Sequence, residues 1–316
     1  MCEADGVSAP RITVTGATGL IGPGLVAALQ RTGAQVSVLT RDPARAREKL
    51  GEVEAIPWEM LQEPAPAAAL SGRDAVAHLA GAPVAQRWSA SAKRAIRDSR
   101  VSGTRNLIEG LRVAGESGHG RPPVLISASA IGYYGAHGEE PLDEEAPPGG
   151  DFLAQVCVAW EAEALAAREL GVRVVTVRAG VVLDSGGGAL AKMLPAFRLG
   201  IGGPVAGGRQ YVSWVHAEDV VGMMLAAVAD ERWSGPANAT APEPLTNREF
   251  ARALGAALGR PALLPVPELA LRLLYGEMAE IVTTGARVMP ARALVLGYEF
   301  RHPHLQGALR AALERD

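Results

Sequence analysis

The run TGATGLIG, residues 15–22, constrains this chain more than any other feature. Gly16, Gly19 and Gly22 follow the β-branched run RITVT (Arg11–Thr15). They open the helical pattern PGLVAALQRTG, which Gly33 ends. Each glycine has a mechanical reason. Gly16 permits the sharp turn out of the strand, Gly19 lets backbone approach a pyrophosphate, and Gly22 lets helix and sheet pack closely. The helix N-terminus then offers open N–H groups and a positive dipole end to phosphate. The loop is expected to hold a dinucleotide, with Thr18, Leu20 and Ile21 sharing the contact. A merely tight turn is the ordinary alternative, but a second strand–helix unit follows at once.

The end of that second strand decides which dinucleotide. An acid there would bond the ribose 2′-hydroxyl and repel a 2′-phosphate. The strand ends VLTRDP, so Thr40 and Arg41 are placed to hold a 2′-phosphate, the guanidinium as a charge-assisted donor. Asp42 is the competing signal for NAD. It precedes Pro43 at a helix start, however, and an N-cap role accounts for it. NADP is expected ahead of NAD.

Short apolar strands alternate with helical patterns through VEAIPW, DAVAHLAG, PVLISASA and VRVVTVRAGVVL. Their near-continuous β-branched content fits strands buried on both faces. The expected fold is α/β, a Rossmann-type doubly wound parallel sheet with right-handed crossovers. Residues 1–183 read as the NADP-binding domain, with 1–10 a disordered leader. Residues 184–316 read as a smaller, mostly helical substrate lobe, part of 204–240 returning to the Rossmann core. RQYVSWVH reads as one strand and ELALRLLYGEMAEIV as one helix. The formal charge of −3 and scattered arginines give no reason to expect nucleic acid. No apolar run reaches 18 residues and the leader is acidic, so neither membrane span nor secretory signal is expected. Two cysteines, Cys2 and Cys157, make no disulfide framework. The histidines show no metal-ligand spacing, and no metal is expected. The expectation is a cytoplasmic monomer or homodimer acting on a small molecule.

The phosphate loop, HLAGAPVAQRW, SRVSGT, SASAIGYYG, WEAEA, VRAGVVL, GGALAKMLPAFRLGIGGP and SWVHAEDV occur in that order. In this the chain resembles the atypical short-chain dehydrogenase/reductase group labelled nucleoside-diphosphate-sugar epimerase-like. GEMAEIVTTGARVMPARALVLGYEFRHPHL resembles that group's small C-terminal domain of unknown function. The resemblance spans residues 11–313. It implies cofactor contacts at Thr40, Arg41, Leu79, Ala80, Arg100 and Val182, with Gly81 beside them. In the wider superfamily a Ser or Thr after the fifth strand works with a Tyr-x-x-x-Lys helix supported by an Asn. Ser129 matches the serine and Arg100 stands in the Asn position. Leu153 and Cys157 stand where Tyr and Lys would be, with Glu161 at the later acidic position.

The missing pair matters. A positioned acid/base is worth about 10²–10⁴ in rate, roughly 3–5 kcal/mol. Hydride transfer can run on proximity, whereas inversion through a keto intermediate needs a proton removed and returned. A reductase is therefore favoured over an epimerase with rearranged acid/base, and over a non-catalytic NADP-binding sensor or scaffold. Tyr133 and Tyr134, at the carboxyl end of a parallel strand, are the candidate replacement acids with Ser129. Packing on the sheet edge is their alternative. Arg87, Trp88, Cys157, Lys192 and Arg209 are candidate substrate contacts. For Cys157 the alternative is a buried inert thiol, and for Arg100 an ion pair with Asp98 or Glu109. His216 and Asp219 are expected to cap and orient a helix.

Overall fold

The computed structural model describes residues 9–116 and 120–314. Most of the expected leader, with Cys2, and His119 lie outside the described residues. Helices and strands alternate as β1 (Arg11–Thr15), α1 (Gly22–Arg31), β2 (Gln35–Thr40), α2 (Pro43–Leu50), β3 (Glu54–Pro57) and β4 (Ala75–His78). The long helix α3 (Ala90–Glu116) leads to β5 (Val124–Ala130), β6 (Pro141–Leu142), α4 (Phe152–Leu165) and β7 (Arg173–Ala179). There follow β8 (Val181–Leu183), α5 (Gly188–Arg198), β9 (Tyr211–Val212), β10 (Trp214–His216), α6 (Ala217–Ala229), β11 (Gly235–Ala239), β12 (Leu245–Thr246) and α7 (Asn247–Ala257). The C-terminal region carries α8 (Glu268–Tyr275), α9 (Glu280–Thr283), β13 (Arg287–Val288), α10 (Ala291–Val295) and α11 (Leu305–Leu313).

The central sheet has seven parallel strands in the order β3-β2-β1-β4-β5-β7-β11. Chain order reverses between β1 and β4. In an open parallel sheet that switch point opens the crevice in which ligands bind, beyond the carboxyl ends of the strands. One face packs Val14, Leu25, Leu29 and Ile126 against α6 residues Val220 and Met224. The other face packs Val76, Leu107, Leu111 and Leu125. A third core, around Leu194, Trp214, Phe250 and Leu309, packs α5, α7 and α11 with β8 and β10.

Three elements differ from the sequence expectation. VRVVTVRAGVVL is two strands, broken at Gly180, and β8 leaves the sheet to pair with β10. A Cβ on Gly180 would lie 2.4 Å from the Ser213 carbonyl oxygen, so glycine is what lets these two backbones cross. RQYVSWVH breaks at Ser213, whose buried hydroxyl donates to Ala286 O (2.8 Å) and accepts from Val288 N–H (2.9 Å). The expected helix over ELALRLLYGEMAEIV ends at Tyr275, because Gly276 takes a left-handed φ of 62°. The seventh strand, β11, reads GPANA. It has no β-branched residue and is held in place by its pairing with β7.

Gly180→Ala is expected to lower stability by about 1–3 kcal/mol, since backbone and not a flexible side chain blocks the new methyl group. Denaturant unfolding of the variant checks this; an unchanged midpoint would refute the crossing.

Candidate active site

The phosphate loop sits on the switch point. Gly16 has φ of 66°, and a Cβ there would meet Ala80 N and Leu79 C at 2.6 Å, so only glycine lets the loop lie on the end of β4. Gly19 N–H donates to Gly16 O at 2.9 Å. A Cβ on Gly22 would lie 2.2 Å from Ala17 O. No side chain caps the start of α1 and its first turn carries no acid, so its N–H groups face the crevice unopposed by negative charge. The Leu20 side chain lies against Gly187 and Gly188, where Cβ atoms would come within 2.7 and 2.9 Å of its methyl groups. Lys49 Nζ, which sequence reasoning missed, donates to Thr18 O at 2.9 Å. A groove of about 1070 Å³ flanks the crevice, running from Thr18–Ile21 along α1 and α6 to Arg301; neither Arg41 nor Ser129 lines it.

At the end of β2, Thr40 Oγ1 accepts from Asp42 N–H at 3.2 Å, and Asp42 Oδ1 accepts from Arg45 N–H at 3.0 Å. The Asp42 carboxylate is committed to the N-cap of α2. The Arg41 side chain is exposed to solvent. Leu79 and Ala80 are half-buried and Gly81 is exposed, while Val182 is buried in β8.

Arg100 corrects its expected alternative, an ion pair with Asp98 or Glu109. Glu109 is taken by Arg112. The Arg100 guanidinium instead lies against Gly81 and 5.1 Å over the Trp160 ring, donating to Ala82 O and Ile96 O at 3.1 Å. Burial pushes its pKa down.

Beneath the crevice lies a buried polar network. Arg178 on β7 grips Glu161 on α4 with two bonds, Nε to Oε1 at 2.8 Å and Nη2 to Oε2 at 2.9 Å. Both residues are buried. Ser129 Oγ donates to Glu161 Oε1 at 2.6 Å. Arg178 Nη1 donates to Tyr134 Oη at 2.9 Å, and Tyr134 donates onward to Asn238 Oδ1 at 2.7 Å. Glu144 accepts from the backbone N–H of Asn238 and of Arg292, joining β11 to α10; burial raises its pKa.

This network settles several candidate residues. Tyr134 drops out as an acid facing the cleft. Its ring is fully buried, its hydroxyl is bonded on both sides, and burial pushes its pKa up to about 12. Tyr133 is half-buried, with the Arg178 guanidinium carbon 3.5 Å from its ring centroid. Leu153 and Cys157 pack on the turn at Gly132, where a Cβ would sit 3.4 Å from Leu153 Cβ and 3.9 Å from Cys157 Sγ. The turn over 131–134 therefore closes the space beside them. As a substrate contact, Cys157 is corrected to a buried thiol, pushed up to about 12 by desolvation, with Glu161 adding to the rise.

The remaining candidates line the approach. Arg87 Nη1 donates to Leu273 O at 3.3 Å. Trp88 Nε1 donates to Val84 O at 3.0 Å, and its ring meets Phe152 edge-on at 5.1 Å. Lys192 Nζ donates to Ala85 O, tying α5 to the same loop. Arg209 is exposed and is not brought together with these groups. His216, Glu218 and His302 place ligand-type atoms within 4.8 Å of one another. His216 Nδ1, however, accepts from Glu218 N–H at 3.2 Å as the N-cap of α6, which puts the neutral ring's proton on Nε2 and turns that face into a donor. Asp219 accepts from the N–H groups of Arg301 (2.7 Å) and His302 (3.0 Å), so the cluster clamps the C-terminal segment onto α6.

The NAD dependent epimerase/dehydratase family matches residues 12–238, and a domain of unknown function matches residues 266–312. An Arabidopsis thaliana protein, the chloroplastic homolog of epimerase family protein SDR39U1, is 39% identical over 315 residues, spanning 99% of this chain and 90% of that protein. The Homo sapiens epimerase family protein SDR39U1 is 35% identical over 307 residues, spanning 95% and 98%. A crystal structure of the human protein with NADPH superposes with a TM-score of 0.84 at 31% identity, covering 97% of this chain and 100% of that one. A UDP-galactose 4-epimerase superposes at 0.73 with 21% identity, covering 96% and 99%, a likeness of fold alone. No helix among the described residues is long and apolar enough to cross a membrane.

His78, under the phosphate loop, bridges Thr15 Oγ1 (2.7 Å) and Thr104 Oγ1 (3.0 Å), and burial lowers its pKa to about 4. The unfolded chain takes up that proton first as pH falls. The stability is present above the ordinary value of 6.5 and is lost as pH drops toward 4. The unfolding midpoint of the protein should therefore fall more steeply across that window than that of His78→Gln; parallel curves would overturn the assignment. Separately, Glu161→Ala strands the buried Arg178 charge and is expected to cost about 3–5 kcal/mol. Glu161→Leu combined with Arg178→Met should recover part of that loss in the same measurement.

Proposed function

The chain belongs to the NAD dependent epimerase/dehydratase family, and from that footing we propose that it is an NADP-dependent oxidoreductase acting on a small carbonyl or sugar-like substrate. The observation that carries this is the division of labour after β2. Asp42 is held as a helix cap while Arg41 stands open beside Thr40. A free guanidinium and a committed carboxylate favour a 2′-phosphate over a bare 2′-hydroxyl. The human relative solved with NADPH supports the same choice.

The residues present fit the cofactor, because Gly16 and Gly22 hold the loop tight against β4 and Ala17 and the start of α1 has neither a capping side chain nor an acid to compete with a pyrophosphate. The loop from Gly16 to Gly22 would hold its pyrophosphate, Thr40 and Arg41 its extra phosphate, and Leu79, Ala80, Gly81, Arg100 and Val182 its middle and nicotinamide end. NADPH supplies a hydride when bound. The protein's own groups orient the acceptor. Ser129, buried near the end of β5, donates to Glu161 Oε1, which leaves its oxygen only the accepting role toward a substrate hydroxyl or N–H. Glu161 accepts two bonds from Arg178 and one from Ser129, so both its oxygens are committed within the network. No side chain of this network is arranged to take a proton from a sugar hydroxyl and return it, which weighs against epimerisation. Arg87, Trp88 and Lys192 flank the entrance as substrate contacts. We take residues 1–183 as the cofactor-binding part and 184–316 as the substrate lobe, with α6 and β11 contributed back to the Rossmann core.

Fluorescence titration should show NADPH binding more tightly than NADH, and Arg41→Ala should erase about tenfold to hundredfold of that preference, the worth of one charged hydrogen bond. Equal affinities in the unmutated protein would contradict the cofactor assignment. With a turned-over substrate, NADP⁺ should accumulate in step with product; an isomerised product without net redox change would replace the reductase reading with the epimerase one.

A further inference from the structure

Among the described residues, every buried or half-buried arginine but one has a carboxylate or carbonyl of the protein within reach. Arg73, Arg100, Arg121, Arg173, Arg178 and Arg292 are all answered in this way. Arg287, half-buried on β13, is the exception. Its Nε is buried without a hydrogen-bond partner, and no hydrogen bond or ion pair joins the rest of its side chain to a described residue. A guanidinium cannot shed its charge to suit such a place. Leaving its donors without an acceptor therefore costs more than leaving a neutral group so.

The side chain is also held in position. Ser213 Oγ donates to Ala286 O and accepts from Val288 N–H, which pins the backbone on both sides of Arg287. Arg287 itself pairs with Pro141 of β6. Ala286 and Val288 pack with Tyr134 in the interior. Strand alternation turns Arg287 to the other face, where its guanidinium carbon lies 5.5 Å from the Tyr211 ring centroid. Gly285 permits that close approach, since a Cβ there would lie 2.1 Å from Tyr211 O. Tyr211 is half-buried, and its hydroxyl bonds no described residue.

Topology brings this pair to the lobe side of the crevice. β6 follows the turn that leaves β5, and Tyr211 stands two residues before Ser213, whose carbonyl crosses Gly180 just after β7. The carboxyl ends of such strands are where an open parallel sheet takes its ligand. We propose that Arg287, with the Tyr211 hydroxyl beside it, binds an oxyanion of the substrate, a carboxylate or a phosphate. A guanidinium offers such a group two parallel N–H bonds, and the phenol adds a further donor. The small carbonyl substrate is thereby narrowed to one that carries negative charge. The inference rests on the reductase reading for calling this ligand the substrate.

Saturation-transfer NMR on the NADPH-loaded protein tests this, with phenyl phosphate, benzoate and uncharged benzyl alcohol as probes. Bound NADPH keeps the probes off the phosphate loop. At least one anion is expected to bind more tightly than the alcohol, and which one does so separates phosphate from carboxylate. Arg287→Met is expected to weaken that anion about tenfold or more, the worth of a charged hydrogen bond. Arg287→Lys should recover part of the loss, and Tyr211→Phe should lose a few-fold. Should Arg287→Met not fold, Arg287→Lys and Tyr211→Phe must each still weaken the anion relative to the unmutated protein. Anions that bind no better than the alcohol would overturn the proposal, as would folded variants that bind them undiminished. Either result leaves the preference for NADPH over NADH standing, so it strikes this site and not the cofactor assignment.

Discussion

One guanidinium organises the interior. Arg178 sits near the carboxyl end of β7, buried after the β-branched run Val174–Val177, and a charge there must be answered. Glu161 answers it with both oxygens, Tyr134 with its hydroxyl, and the Glu144 carbonyl at the edge of range, 3.4 Å. Through those partners it fixes α4, the turn after β5, β11 and the C-terminal segment in one arrangement. Ion pairs of this kind are weak sources of net stability, because desolvation offsets the attraction. What the pair does here is directional. It holds Tyr134 out of the crevice and takes the proton of Ser129 into the protein.

The cofactor side rests on backbone rather than side chains. Gly16 against β4 and Gly22 against Ala17 leave no room for a methyl group, so the loop's shape follows from close packing. The lobe is then seated on that rigid end from two directions. Gly187 and Gly188 cover Leu20, and Asp219 gathers the backbone N–H groups of Arg301 and His302 onto the start of α6. Binding at the loop and placement of the lobe are therefore mechanically adjacent, though no shared side chain is required to link them.

What was legible in the sequence is what local chemistry determines. Each glycine of the phosphate loop answers a short-range steric need, and Asp42–Pro43 is a capping pattern complete within a few residues. The breaks at Gly180 and Ser213 were not legible, because what demands them is another strand far along the chain. β11 was missed for the same reason, since GPANA has no strand propensity and is placed by pairing. The role of Arg178 did leave a signal. An arginine directly after the apolar run VVTV in VRVVTVRAGVVL, and an acid facing inward on the apolar helix FLAQVCVAWEAEAL, are two charges each needing the other. Two adjacent tyrosines on one tight turn also cannot both point the same way, which separates Tyr133 from Tyr134.

The magnitudes decide which chemistry survives the loss of the tyrosine and lysine. Holding hydride donor and acceptor together is worth about 7–11 kcal/mol, whereas a positioned acid/base adds roughly 3–5 kcal/mol. A reductase without the acid therefore keeps the larger part of its acceleration and draws one proton, which solvent can supply after the hydride has moved. An epimerase acting through a keto intermediate loses the smaller contribution twice, once in each direction, and must also keep that intermediate from water. Ser129 cannot make up the difference, because its proton already points at Glu161 and its oxygen can only accept. On the proposed reading, the bond that holds Ser129 to Glu161 leaves that oxygen a partner only for a hydroxyl or N–H that the substrate itself brings.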